Sequence, residues 1–174
     1  MPQQLKQLMS ELVRKDTLDG RDYLVAPVIL ITEGVHNNVL YRADDLKKFP
    51  EAWNGRPIPL FHPEMRGKPI SANSPEILES RIVGTIFNTK YDEWSNNGAR
   101  LKGLKAEAWI EVEKAKRIAP RLLQALEDEE PIEVSTGLFT EDILEPGKWN
   151  EESYEAIATN YRPEIGRASC RERV

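Results

Sequence analysis

The sequence predicts a mainly β fold, a barrel or a sandwich, carrying a few peripheral helices. Three observations predict it. Apolar runs rich in Val, Ile, Thr and aromatic residues are punctuated by turn signals at Asp19-Gly20, Asn37-Asn38 and Asn96-Asn97-Gly98. Twelve prolines interrupt the chain, which suits strands and loops better than a helical bundle. Helical periodicity is confined to a few short segments.

Taken in order, Leu5, Leu8, Met9 and Leu12 recur at helical spacing, so residues 1–19 are expected to form an N-terminal helical arm. After Asp19-Gly20, the run Tyr23–Ile31 is strand-like, with Pro27 marking an edge or a bulge. Gly34 and Asn37-Asn38 break it, and Val39–Tyr41 resumes it. Arg42–Phe49 has a short helical pattern with Asp44 or Asp45 in its first turn, stopped by Pro50. Trp53–Pro57 reads as a turn, Ile58–His62 as a short strand ending at a histidine, and residues 64–76 as loop. Two strands follow, Arg81–Asn88 and Leu101–Val112. Glu113–Glu129 is helical, with Pro120 opening a second turn or kinking the first, and Leu122, Leu123 and Leu126 form its apolar face. Ile132–Phe139 and Tyr154–Tyr161 complete about seven strands.

The last segment reads differently. Ile165–Val174 translates, codon by codon, a common sequencing adapter, so residues 164–174 are expected to be a scar outside the fold. The expected division is therefore 1–19, a helical arm; 20–163, one β domain, truncated at its C-terminus; and 164–174, scar. The one cysteine, Cys170, falls in the scar, which removes disulfides and thiolate metal sites from consideration.

The formal charge is −5, and an acidic chain lacks the basic footprint of a non-specific nucleic-acid or anionic-membrane binder. No apolar run reaches the roughly 18–20 residues of a spanning helix. Two histidines, in unrelated contexts, disfavour a metal-dependent hydrolase, and neither a metal nor a cofactor is expected.

Two residues stand out for chemistry. His62, in Pro59-Leu-Phe-His-Pro63, ends an apolar strand, where an imidazole reaches a cleft on a fixed backbone as a general base must. Ser135, in Glu133-Val-Ser-Thr-Gly137, places a hydroxyl beside the open backbone of Gly137, a candidate contributor to oxyanion stabilisation. Glu133 alternates with Ser135 on one strand face, either as a polar neighbour of the site or as a paired strand carboxylate. His36 reads as a surface turn residue, the acidic run Glu127–Glu130 as a solvated face, and Trp53, Trp94, Trp109 and Trp149 as scattered packing residues.

The order of these pieces resembles the capsid-maturation (prohead) proteases of tailed phages, in the branch long carried as an uncharacterised phage-protein family. The resemblance rests on Trp53-Asn-Gly-Arg-Pro-Ile-Pro-Leu-Phe-His-Pro63, Ile82-Val-Gly-Thr-Ile-Phe-Asn88, Glu107-Ala-Trp-Ile110, Ile132-Glu-Val-Ser-Thr-Gly137 and Tyr154–Pro163, and it spans residues 21–163. It implies a herpesvirus-protease type fold, a closed β-barrel surrounded by helices, and serine acyl transfer with Ser135 as nucleophile and His62 as general base. It also implies a second histidine that orients the first. In the branch resembled, the chain after Pro163 continues Asp-His-Leu-Ala, where this sequence enters the scar. The activity implied is cleavage of scaffold and major capsid protein in the assembling prohead, in the cytoplasm of the bacterial host. The alternative is a head-morphogenesis module of the same fold without a competent triad. The cleavage motif, self-association into a homo-oligomer, a fused downstream scaffold domain and self-cleavage of the N-terminal arm all stay open.

Overall fold

The computed structural model describes residues 13–60, 64–65, 68–69, 74–130 and 132–169, with 64–65, 68–69, 133–135 and 164–169 described by backbone alone. In chain order these are β1 (Arg14–Leu18), β2 (Arg21–Thr32), β3 (Gly34–His36), β4 (Val39–Tyr41), α1 (Ala43–Leu46) and a 3-10 turn (Pro50–Trp53). Then come β5 (Pro57–Pro59), β6 (Glu64–Met65), β7 (Lys68–Pro69), α2 (Pro75–Ser80), β8 (Ile82–Asn96) and β9 (Ala99–Glu111). The rest is α3 (Val112–Ile118), α4 (Pro120–Glu127), β10 (Glu133–Ile143), β11 (Gly147–Trp149), β12 (Glu152–Tyr154) and β13 (Ala156–Ser169).

The mainly β class holds, but the closed barrel does not. The strands form an open five-stranded sheet, β1-β2-β9-β8-β5, an open four-stranded sheet, β10-β13-β4-β3, and two small hairpins. The physical reason lies at the two places where the sheets meet. β5 packs against β13 without pairing to it, and Pro57 and Pro59 have no N–H to offer a second neighbour. β10 meets β2 through a side chain: the Thr136 hydroxyl donates to the Leu30 carbonyl at 3.1 Å. Leu30 is the residue skipped by the register shift between Ile29 and Ile31. A bulged residue falls outside the ladder, and the threonine hydroxyl binds its carbonyl.

Four two-residue turns set the registers. Asp19-Gly20, Asn37-Asn38, Asn97-Gly98 and Asn150-Glu151 all have both central residues at positive φ, as a type I′ hairpin turn requires. The first of these corrects the N-terminal arm. Residues 1–12 lie outside the described residues, but Arg14–Leu18 is a strand, folded back by Asp19-Gly20 so that Arg14 pairs with Val25. At the other end, the backbone of 164–169, expected to stand outside the fold, continues β13 and pairs with 133–137.

The core lies between the sheets and the helices. Leu24, Ala26, Val28 and Leu30 of β2 alternate onto one face with Leu104, Ala106 and Ile110 of β9 and Ile86 of β8. The helices α3 and α4 cover this face with Ala115, Leu122, Leu123 and Leu126. Burying each of those leucines contributes roughly 2 kcal/mol. Pro120 separates the two helices by taking the first position of α4, where a missing N–H costs nothing. Trp53 and Leu46, each 2 % exposed, close the core from the 3-10 turn and α1. The start of α1 is capped at a distance: the Glu33 carboxylate accepts the Ala43 N–H at 3.0 Å.

Candidate functional site

Ser135 sits near the start of β10, opposite Arg167 of β13, with Glu133 opposite Ser169 and Gly137 opposite Ile165. Its neighbour Thr136 ties this end of β10 to β2 through Leu30. Just past Gly137 the register shifts, so Leu138 faces Pro163 and one residue of β13 is left over. Pro163 has no N–H to pair, so an irregularity beside it is the expected response of the ladder.

His62 lies outside the described residues, and so does its placement relative to Ser135. The structure gives the approach to each. β5 is an edge strand held against β8 by Pro57↔Thr85 and Ile58↔Gly84, and the Leu60 N–H donates to the Arg81 carbonyl at 2.9 Å. The turn before β5 is anchored as well. Gly55 N–H donates to Ile86 O at 2.8 Å, and Asn54 Oδ1 accepts from Thr89 N–H at 2.9 Å, within the register shift of β8. The chain thus reaches position 62 two residues after a fixed point. β13 is the shared neighbour, paired to β10 on one side and packed against β5.

His36, expected in a surface turn, is a half-buried residue of β3. Its Nε2 lies 2.8 Å from the Thr32 carbonyl, and its ring stands edge-on to Tyr41 at 5.5 Å between centroids. Both interactions are structural.

Two polar clusters escaped sequence reasoning. In α1, Asp45 has a side chain only 4 % exposed, yet it is ionised between Arg42 and Lys48. Arg42 approaches through Nε and a terminal nitrogen at 2.7 Å each, and Lys48 Nζ lies at 2.6 Å. Burial alone would raise its pKa; the bonds from Lys48 and Arg42 outweigh burial and hold it below the ordinary carboxylate value. The Arg-x-x-Asp-x-x-Lys spacing was legible as one helix face, but its burial was not. Asp45 lines a cleft of about 340 Å³ with Leu46, Phe49, Trp53, Tyr161 and Pro163. Tyr161 is pushed well above the usual phenol range, first by burial and then by the Asp45 charge.

The second cluster decorates the outer face of the five-stranded sheet. The Glu107 carboxylate accepts from Arg14 at 2.7 and 3.1 Å, Asn88 Nδ2 at 2.6 Å and Trp109 Nε1 at 3.0 Å. Trp109 meets Tyr23 and Phe87 edge-on, with the Arg14 guanidinium 5.7 Å from its ring centre. Its members come from four strands, so no local pattern announces it. The cluster locks β1 to β9.

Among the described residues, no group of three or more His, Cys, Asp or Glu could hold a metal ion, and no helix is long and apolar enough to cross a membrane. No protein-family model, no curated protein and no solved structure matches this chain.

Proposed function

We propose that this chain is a capsid-maturation serine endopeptidase of the tailed-phage prohead type, cleaving scaffold and major capsid protein during head assembly. The observation that carries the reading is the shared neighbour: β13 pairs with the strand that bears Ser135 and packs against the strand that leads to His62. Two segments distant in sequence, one bearing Ser135 and one running toward His62, thus meet the same strand from different sheets, which supports the reading. In this reading His62 takes the Ser135 proton as the hydroxyl attacks a peptide carbonyl, then passes it to the leaving amine. Water hydrolyses the acyl-enzyme with His62 as base again. Backbone N–H groups around Gly137, next to the interrupted ladder, receive the oxyanion.

The register also accommodates a third member. In the branch resembled, Asp-His-Leu-Ala follows Pro163, which puts the histidine at position 165. Position 165 is opposite Gly137 and diagonal to position 135, on the same face of the strand pair. In this reading a histidine there orients His62, and the isoleucine present instead predicts low activity for this chain.

The test is co-expression with the cognate major capsid protein, followed by intact mass over time. Three chains are compared: the chain as it stands; the chain with Glu164→Asp, Ile165→His, Gly166→Leu and Arg167→Ala; and that variant with Ser135→Ala. Capsid cleavage by the second and not the third supports the peptidase. No cleavage by any of them, with all folded, favours the inactive morphogenesis module.

A further inference from the structure

We infer that the free edge of β10 beyond Thr136 is a docking strand for an extended peptide whose side chains are apolar at the ends and basic in the middle. β10 is the outer strand of its sheet, so half of its backbone N–H and C=O groups face away from β13. Among the described residues no backbone bond to another segment covers 138–144 on that side. Edge strands are ordinarily blunted, and this one has a register shift between Phe139 and Glu141; yet it carries Phe139 and Ile143, with Leu144 just past its end, which are 59 %, 50 % and 86 % exposed. Half of the exposed large apolar residues in the described chain thus fall within six consecutive positions at the end of this edge strand.

The charge pattern decides the occupant. Between the apolar residues lie Glu141 and Asp142, both exposed. Glu141 is only loosely compensated, by Asn160 at 2.9 Å and Arg162 at 3.8 Å, both on the β13 side. A second copy pairing antiparallel through this edge in a register centred on the acidic pair meets its own charges. Centred on Glu141 it sets Glu141 against Glu141; centred on Asp142 it sets Asp142 against Asp142; centred between them it sets Glu141 against Asp142. Like charges directly opposite destabilise a ladder, so each of these registers rejects the copy. A partner strand reading apolar-apolar-basic-basic-polar-apolar, antiparallel to 139–144, meets every position with a complementary group, and main-chain bonds supply the affinity. The inference does not rest on the peptidase reading: the strand carries this pattern whether or not Ser135 is a nucleophile.

The experiment is fluorescence polarisation with the full chain and a labelled peptide, Gly-Ile-Val-Arg-Lys-Thr-Val-Gly amide. Saturable binding is expected, weakened about tenfold or more when Glu141→Lys and Asp142→Lys are combined. The same peptide with Glu-Glu in place of Arg-Lys should bind no better than to the doubly substituted chain. Circular dichroism confirms that the variant folds. No saturable binding, or equal binding of the basic and acidic peptides, overturns the proposal. So does sedimentation showing a dimer that Phe139→Lys dissociates, which would assign the edge to a second copy.

Discussion

Replacing Glu107 by Gln should cost about 1–2 kcal/mol at pH 7, and the cost should vanish in acid. The carboxylate accepts four hydrogen bonds, two of them from the Arg14 guanidinium. Those bonds, with Arg14 first and Asn88 and Trp109 after it, overcome partial burial and bring its pKa from 4.5 down to about 2. At about 1.4 kcal/mol per pH unit, that difference bounds the contribution at roughly 3 kcal/mol. Arg14 is 47 % exposed, and solvent and salt screen such a pair, which brings the expectation down to about 1–2 kcal/mol. The sign follows from linkage: the folded pKa lies below the unfolded one, so the stabilisation is complete above about pH 4.5 and is lost as pH falls toward 2. Urea unfolding followed by tryptophan fluorescence, at a series of pH values from 7 down to 2, measures it for both chains. The gap between them should close in the acid limb and narrow in 0.5 M salt. A gap that is absent at pH 7, or that persists unchanged at pH 2, would refute the assignment of Glu107 as the charged clamp between β1 and β9.

Three further outcomes test the fold. Gly103→Ala should unfold at clearly lower urea, by about 2 kcal/mol or more, because a Cβ there runs into the Ile31 carbonyl and lies 2.9 Å from Thr32 Cα. Thr136→Val keeps the shape but removes the hydroxyl from the bulged Leu30 carbonyl, so a loss of about 1–2 kcal/mol in the same assay is expected. Glu151 holds φ at 68° in the turn between β11 and β12; Glu151→Gly relieves that strain and should gain about 0.5–1 kcal/mol.

How far the sequence speaks depends on how local the cause is. The turns were legible because Asn, Asp and Gly tolerate positive φ, and the α3–α4 boundary because Pro120 cannot continue a helix. Asn150-Glu151 escaped notice because glutamate seldom adopts that conformation. The expected helical arm at 1–19 gives way to a strand at Arg14–Leu18, because the apolar helical spacing of 5–12 ends there and the Asp19-Gly20 turn returns the chain onto β2. Closure of the barrel fails on the edges. Pro57 and Pro59 were visible, but whether β5 pairs or merely packs against β13 is a matter of three-dimensional approach. Of the site, the sequence supplied the Ser135 strand and the direction from which His62 is approached. It could not supply β13 as the common neighbour of β5 and β10, since register between 133–137 and 165–169 is set by long-range pairing. Asp45 and Glu107 were missed for the same reason: burial and convergence are properties of the fold.

Whether Ser135 is an activated nucleophile can be read by covalent labelling. The chain carrying Glu164→Asp, Ile165→His, Gly166→Leu and Arg167→Ala is treated with diisopropyl fluorophosphate, and its mass is measured intact and after digestion. One adduct is expected, located on Ser135, lost in Ser135→Ala and strongly slowed in His62→Gln. A folded chain that takes no adduct, or takes it equally without His62, would rule out a Ser135 nucleophile activated by His62.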